Sequence, residues 1–179
     1  MPFEFAYLNF IQQNLRSDFM DTFMVFITYF GEYGLFWIFV SIGLFFHKPT
    51  RKYGFILGLA LIIDIICLNG IIKPLVQRTR PCYINPIELL IEAPDGYSFP
   101  SGHSGACFTA AFALLFANNK HWCYAMILAV LVGFSRNYLY VHFPTDVLGG
   151  VVIGFLAAYV ANHIYTKNMI PQSIMDLLK

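Results

Sequence analysis

Nineteen consecutive residues, Gly54 to Ile72, contain one acid, Asp64, and no other charge. At about 1.5 Å per residue such a run reaches about 28 Å as a helix, close to the ~30 Å hydrocarbon core of a bilayer. Inside lipid each backbone N–H and C=O needs a partner within its own segment, so an unbroken apolar run of this length has to be helical. The rest of the chain is of the same kind, with 58% hydrophobic and 12% charged residues, against about half and about a quarter in soluble domains. The 19 Phe and 11 Tyr exclude intrinsic disorder, four Cys in 179 residues exclude a disulfide-built scaffold, and a formal net charge of +1 excludes a nucleic-acid binder. The expected fold class is all-α, a polytopic membrane helical bundle of about five to six transmembrane helices with an N-terminal interfacial amphipathic helix.

Val147 to Tyr165 is a second clear span, and Lys73-Pro74 reads as the stop of the first. Between them, Ser104 to Ala117 and Trp122 to Tyr140 form a helical hairpin around the polar turn Asn118-Asn119-Lys120-His121. Phe19 to Phe46 is mostly apolar but interrupted by Asp21 and by Gly31-Glu32-Tyr33-Gly34, which leaves an interfacial helix plus a short span, or one long broken helix. Residues 3 to 15 place Phe3, Tyr7, Phe10 and Ile11 at helical spacing, as in a segment lying on the membrane surface. The expected organisation is an interfacial segment 1–18, a single bundle 19–170 and a cytoplasmic tail 171–179. Met1-Pro2 and Glu4 do not resemble a cleavable leader.

With five spans, Lys48, Arg51, Lys52, Lys120, Lys167 and Lys179 fall on one side and Arg16, Lys73, Arg78, Arg80 and Arg136 on the other. Setting Lys73, Arg80 and Arg136 aside as site residues leaves six against two. The positive-inside rule then places the C-terminus in the cytoplasm and the N-terminus outside.

The longest stretch outside the spans, Pro74 to Gly102, carries Pro at 74, 81, 86, 94 and 100 and is too long for an idle connection. Three polar clusters stand out from the hydrophobic background: Lys73 to Pro81 (KPLVQRTRP), Pro100-Ser101-Gly102-His103-Ser104, and Ser135 to Asp146 (SRNYLYVHFPTD). Alternating span direction brings Lys73, His103, Arg136, His142 and Asp146 to one membrane face. Their chemistry suits phosphoryl transfer. Lys73, Arg80 and Arg136 can neutralise the equatorial oxygens of a phosphoryl group, and Ser101-Gly102-His103 opens a helix whose free N–H groups make an anion site. His142 can attack phosphorus as a neutral imidazole supported by Asp146, four residues on, which leaves His103 to protonate the leaving oxygen.

At every fixed position and spacing these clusters resemble the type 2 phosphatidic acid phosphatase superfamily: Lys, six residues, Arg-Pro; then Pro-Ser-Gly-His; then Ser-Arg, five residues, His, three residues, Asp. The resemblance implies phosphate binding by Lys73, Arg80, Ser101, Gly102 and Arg136, general acid work by His103, a phosphohistidine at His142, orientation by Asp146, and no cofactor or metal ion. The short chain, ArgThrArgPro and SerPheProSerGlyHis are most similar to small bacterial members, many of which act on undecaprenyl diphosphate. That likeness implies a multi-pass protein of a bacterial inner membrane, its site on the outer face. Some relatives carry Asp at the position of Gly102, so phosphatidylglycerophosphate, phosphatidic acid and lipid A phosphates stay open as substrates.

Other readings compete at single residues. Lys73, Arg78 and Arg80 are also what snorkelling interfacial cations look like, and Arg78 lies outside the fixed pattern. His103, His142 and Asp146 are metal-ligand types, although three neighbouring cations would repel a divalent ion. A Ser101–His103 hydrolase pair lacks a GxSxG elbow. Asp64 is either a functional intramembrane acid or a structural hydrogen-bond former, with Asn69 as a same-helix partner. Gly54/Gly58 and Gly150/Gly154 suit close packing within the bundle. The Cys residues are not placed for a structural disulfide, His47, His121 and His163 are interfacial, and Ile84 to Ile91 has the spacing of a helical lid. A different class of protein, one that binds or moves lipid phosphates without catalysis, would need the cations but not His103, His142 and Asp146.

Overall fold

The helix with the smallest side chains holds the centre of the molecule. In the computed structural model, which describes residues 2–178, the helices in chain order are α1 (Pro2–Asn14), α2 (Asp18–Thr28), α3 (Leu35–Phe46), α4 (Arg51–Ile65), α5 (Lys73–Val76), α6 (Pro81–Ile84), α7 (Gly102–Phe116), α8 (Trp122–Tyr138), α9 (Pro144–Thr166) and α10 (Gln172–Leu178). Helix α7 buries Gly105, Ala106, Ala110, Ala111 and Ala113 and is surrounded by α4, α8, α9 and the turn between α2 and α3.

Small residues are what permit that crowding. A Cβ on Gly150 would stand 2.8 Å from the Ser101 carbonyl oxygen, and one on Gly154 would stand 2.8 Å from the Thr109 N. Lipid tails are as apolar as leucine, so helices in a bilayer associate by such close backbone approach. Gly54 and Gly58 do the same for α4 against α3, where Ser41 Oγ also donates to the Gly54 carbonyl at 2.8 Å. Both glycine pairs thus serve packing within the bundle.

Three helical stretches, Asp18–Phe46, Lys48–Ile84 and Pro144–Thr166, are long and apolar enough to cross a membrane, and Gly102–Phe116 is a shorter apolar helix. The first is the long broken helix of the two alternatives. It continues from α2 through a tight turn, Tyr29–Gly34, in which Glu32 is extended (ψ 116°) and Tyr33 and Gly34 are left-handed (φ 48° and 67°).

The second stretch corrects the expected stop at Lys73-Pro74. Helix α4 widens into a π-helical segment, Ile66–Ile72, and runs on through α5 to Val76, ending at Gln77 with φ 49°. Proline breaks a helix because it has no N–H and crowds the carbonyl four residues back. Here the register has already shifted over the π segment, and Pro74 sits in the first turn of the resumed helix, where its N–H is not needed.

Helix α1 packs on the end of α8. Its buried face is Glu4, Leu8 and Ile11, while Phe3 and Phe10 are exposed. The C-terminal residues expected as a tail form α10, whose Met175 and Leu178 are buried. The stretch 84–91 is not a helical lid: after α6 the chain is irregular to Ser101, because Asn85 precedes Pro86 and is held out of helical geometry (φ -128°, ψ 87°). Its Ile87, Leu89, Leu90 and Ile91 pack on the cluster built from Leu8, Ile11, Tyr138 and Tyr140.

Candidate active site

The C-terminal ends of α5 and α8 and the N-terminal ends of α7 and α9 meet at one end of the bundle. Between them lies a cavity of about 810 Å³ lined by Lys73, Arg80, Gly102, His103, Arg136 and His142. Three cations and two imidazoles from four separate parts of the sequence therefore face one space. Ser101 and Asp146 are set back from its wall, both fully buried.

Each cation is held by a different device. Arg80 is buried, and the proline-rich loop wraps around it: Nε and Nη2 donate to the Gly96 and Asp95 carbonyls at 3.1 and 3.0 Å, and Nη1 donates to the Val141 carbonyl at 3.1 Å. Arg136, 2% exposed, donates from Nη1 to Thr28 Oγ1 at 2.6 Å. Its buried Nε has no hydrogen-bond partner among the described residues. Lys73 arrives on the resumed helix α5, and its Nζ lies 3.7 Å from where a Cβ on Gly102 would sit. The ammonium thus lies directly beside the first residue of α7.

The start of α7 adds backbone donors. Ser101 Oγ caps the helix by accepting from Ser104 N at 3.4 Å, and Ser101 N donates to the Asp146 carbonyl at 3.0 Å. Ser101 therefore braces α7 against α9, and Gly102 and His103 present the first-turn N–H groups that have no carbonyl in their own helix.

His142 stands in the loop before α9, its backbone carbonyl accepting from Asn137 Nδ2 at 3.0 Å. Arg80 Nη1 lies 3.0 Å from its Nε2. A guanidinium can only donate, so Nε2 is the acceptor and the ring proton is on Nδ1. Burial first, and then Arg80 and Arg136, push the imidazole down to about 3, while Asp146 works in the opposite sense. At neutral pH His142 is therefore an uncharged base with its lone pair on Nε2.

Asp146 Oδ2 lies 3.6 Å from His142 Nδ1, longer than a hydrogen bond. The reason is competition: Oδ2 also accepts from the Ser98 hydroxyl and from Phe143 N at 2.8 Å. The second contact is the reach-back of an N3 acid to the residue that starts its helix, with Pro144 at N1. Oδ1 accepts from Arg78 Nη1 at 2.7 Å. The carboxylate is thus held beside His142 by Ser98, Phe143 N and Arg78.

The comparison with known families settles what this arrangement belongs to. The model of the family described as the PAP2 superfamily matches residues 51–170. The chain belongs to the PAP2 superfamily. An undecaprenyl-diphosphatase from Sulfolobus acidocaldarius is 36% identical over 158 residues, covering 87% of this chain and 75% of that protein. Phosphatidylglycerophosphatase B from Bacillus subtilis is 33% identical, covering 79% and 73%. Among solved structures, Aquifex aeolicus LpxE superposes with a TM-score of 0.75 at 28% identity, covering 89% of this chain and 94% of that one. The PAP2 type phosphatidylglycerolphosphate phosphatase of Bacillus subtilis gives 0.70 at 30% identity, covering 90% and 86%. The chain is a multi-pass membrane protein of this superfamily.

Several residues around this PAP2 site were not assigned from sequence. Arg78 is no loose interfacial cation: it joins Asp146 to Glu4 of α1, donating from Nη2 to Glu4 Oε2 at 2.6 Å, and lies over the Phe143 ring at 4.1 Å. Thr145 donates from its hydroxyl to Glu4 Oε1. Glu32 Oε2 lies 3.2 Å from His103 Nε2. Glu4, Thr28 and Glu32 all lie before the matched residues, so no fixed spacing to the motifs points to them. Asp64 is buried on the cavity wall beside Gly105 of α7, its Oδ1 without a partner among the described residues. Asn69 lines the same cavity from the π segment.

Proposed function

We propose that this chain is a metal-independent lipid phosphatase that hydrolyses undecaprenyl diphosphate to undecaprenyl phosphate and phosphate. The observation that carries this reading is the convergence of Lys73, Arg80, Arg136, His103 and His142 on one cavity of about 810 Å³ at the end of an apolar bundle. Similarity to curated undecaprenyl-diphosphatases from Sulfolobus acidocaldarius and Bacillus subtilis supports the choice of substrate.

In this mechanism the terminal phosphoryl group enters between Lys73, Arg80 and Arg136, with the N–H groups of Gly102 and His103 at the helix start. Phosphate oxygen takes the donor that Arg80 directs at His142, which frees Nε2 for attack. The Nε2–P bond forms as the P–O bond to the leaving group breaks, and His103 gives its proton to the departing oxygen. Asp146 takes up the positive charge that develops on the His142 ring. Water then attacks phosphorus and passes its proton to His103, and the N–P bond breaks, restoring both histidines. Three positive side chains supply the charge neutralisation that a divalent ion supplies in other phosphoryl-transfer sites.

In the same reading residues 1–18 lie at the outer interface with Phe3 and Phe10 toward lipid, residues 19–170 form the bundle and residues 171–179 face the cytoplasm. The cavity then opens at the outer face of a cell membrane, where the prenyl chain stays in the bilayer. The basic residues Lys48, Arg51, Lys52, Lys120 and Lys167 at the opposite end support this orientation.

The test is phosphate release by the purified protein in detergent with EDTA, on undecaprenyl diphosphate, phosphatidylglycerophosphate, phosphatidic acid and a lipid A phosphate. Expected is release that prefers the diphosphate, survives EDTA and is blocked by orthovanadate, a mimic of five-coordinate phosphorus. Preference for a monoester would reassign the substrate. Binding of all four lipids without release would make the protein a lipid-phosphate carrier.

A further inference from the structure

The break in the first long helix takes a backbone conformation that side-chain-bearing residues rarely adopt. Tyr33 is a non-glycine residue in the left-handed region at φ 48°, followed by a second left-handed residue, Gly34, and Tyr33 is 80% exposed. Strain of this kind persists where the surroundings impose it and is concentrated at functional sites. What the turn achieves is visible on its other side. Gly31 is pressed against α7 and α8 so closely that a Cβ would stand 2.9 Å from Cβ and Cδ2 of His103 and from Cγ1 of Val132. The next residue turns away from helical geometry, and its carboxylate meets His103 Nε2 at 3.2 Å.

His103 otherwise faces a cavity whose fixed charges include Lys73, Arg80 and Arg136, all hostile to a second proton on its ring. Glu92 and Asp95 of the loop and Asp64 of α4 also line the cavity, but the acid in contact with His103 is Glu32. A carboxylate accepts only, so the ring donates Nε2–H, and the proton left for a leaving group is the one on Nδ1.

We propose that Glu32 is the positioning residue of the general acid: it fixes the His103 ring through Nε2–H and sustains the imidazolium against the three phosphate-binding cations. This rests on the reading of His103 as the acid. Glu32 keeps no proton over the cycle, since the proton His103 gives to the leaving oxygen is replaced by the one it takes from water. The Glu32 side chain is 41% exposed, so screening limits its effect.

The chemistry supplies a test that a merely structural contact would fail. A lipid phosphomonoester expels an alkoxide whose conjugate acid is about as weak an acid as water, and needs the acid. A lipid diphosphate expels a phosphate with a second pKa of about 6, and needs it far less. Glu32→Gln keeps shape and removes charge. Its kcat should fall about thirtyfold on phosphatidic acid and phosphatidylglycerophosphate but about threefold on undecaprenyl diphosphate. KM and orthovanadate affinity should stay unchanged, the alkaline limb of the kcat profile should move to lower pH, and Glu32→Asp should recover most of the loss. Equal losses on all three lipids with an unmoved alkaline limb would reduce Glu32 to a packing contact, and no loss at all would make the contact idle. His142→Ala serves as control: if it still turns over lipid, the whole site reading fails, whereas an inert His142→Ala beside an unaffected Glu32→Gln removes the Glu32 inference alone.

Discussion

Residues 73–146 and residues 2–50 meet at the same cavity and contribute opposite things to it. The later segment supplies every cation and both imidazoles on the cavity wall; the earlier one supplies Thr28 and Glu32 on the wall and Glu4 behind it. The groups suited to touching phosphate are thus positive and come from the later segment, and two of the groups on the wall, Arg136 and His103, as well as Arg78 behind it, are steadied by an acid or hydroxyl from far away. Thr28 holds Arg136 across 108 positions, Glu32 holds His103 across 71, and Glu4 holds Arg78 across 74. Assembling a cluster of like charges is unfavourable until a ligand neutralises it, and distant partners lower that cost without occupying the anion position.

The two regions should therefore differ in how much activity they carry. His142→Ala removes the attacking atom, and its kcat should fall roughly a thousandfold or more, with phosphate release as the measurement. A smaller loss would mean that the covalent step is not the principal route. Arg78→Ala belongs to the same region but acts through Asp146. It leaves Oδ1 without its charged partner and should lower kcat about fiftyfold, as for other residues that orient a reacting side chain, with KM nearly unchanged. A rise in KM instead would place Arg78 on the substrate.

Thr28→Val carries the comparison into the N-terminal region. It removes a hydroxyl that accepts from a buried guanidinium, and a hydrogen bond to a charged group of this kind corresponds to about tenfold. The loss should appear in orthovanadate affinity and KM together, because Arg136 stays in place but is free to turn. Unchanged affinity would show that the packing of α8 alone aims Arg136.

This asymmetry also explains which parts could be read from the sequence. That Lys73, Arg80, His103, Arg136, His142 and Asp146 come together at one end of the bundle was legible because helix ends dictate their spacing. The spans are legible because lipid forbids charge within them. Glu32 was visible only as an interruption of an apolar stretch, since its meaning depends on a left-handed turn that brings it to a helix 71 residues away. Arg78 sits two residues from Arg80 and looks like another phosphate ligand, yet the Phe143 ring and Glu4 turn it to the back of Asp146. Pro74 misleads for a local reason: the π segment before it shifts the register, and that widening leaves no mark in the hydrophobic pattern.

The smallest effect expected is also the sharpest on how the regions are wired. Glu4 meets Arg78 and Thr145, and its partner Arg78 then meets Asp146. Glu4→Gln retains a group able to accept from Arg78 but not the charge, in a pair whose side chains are only 15% and 11% exposed. A loss of about threefold in kcat is expected. The double variant Glu4→Gln, Arg78→Ala discriminates further, because residues that act along one chain of contacts do not have additive effects. If Glu4 works through Arg78, the double variant is no slower than Arg78→Ala. If the two losses multiply, Glu4 reaches the site by a second route, and Thr145, at the start of α9 beside Asp146, is the residue through which it would run.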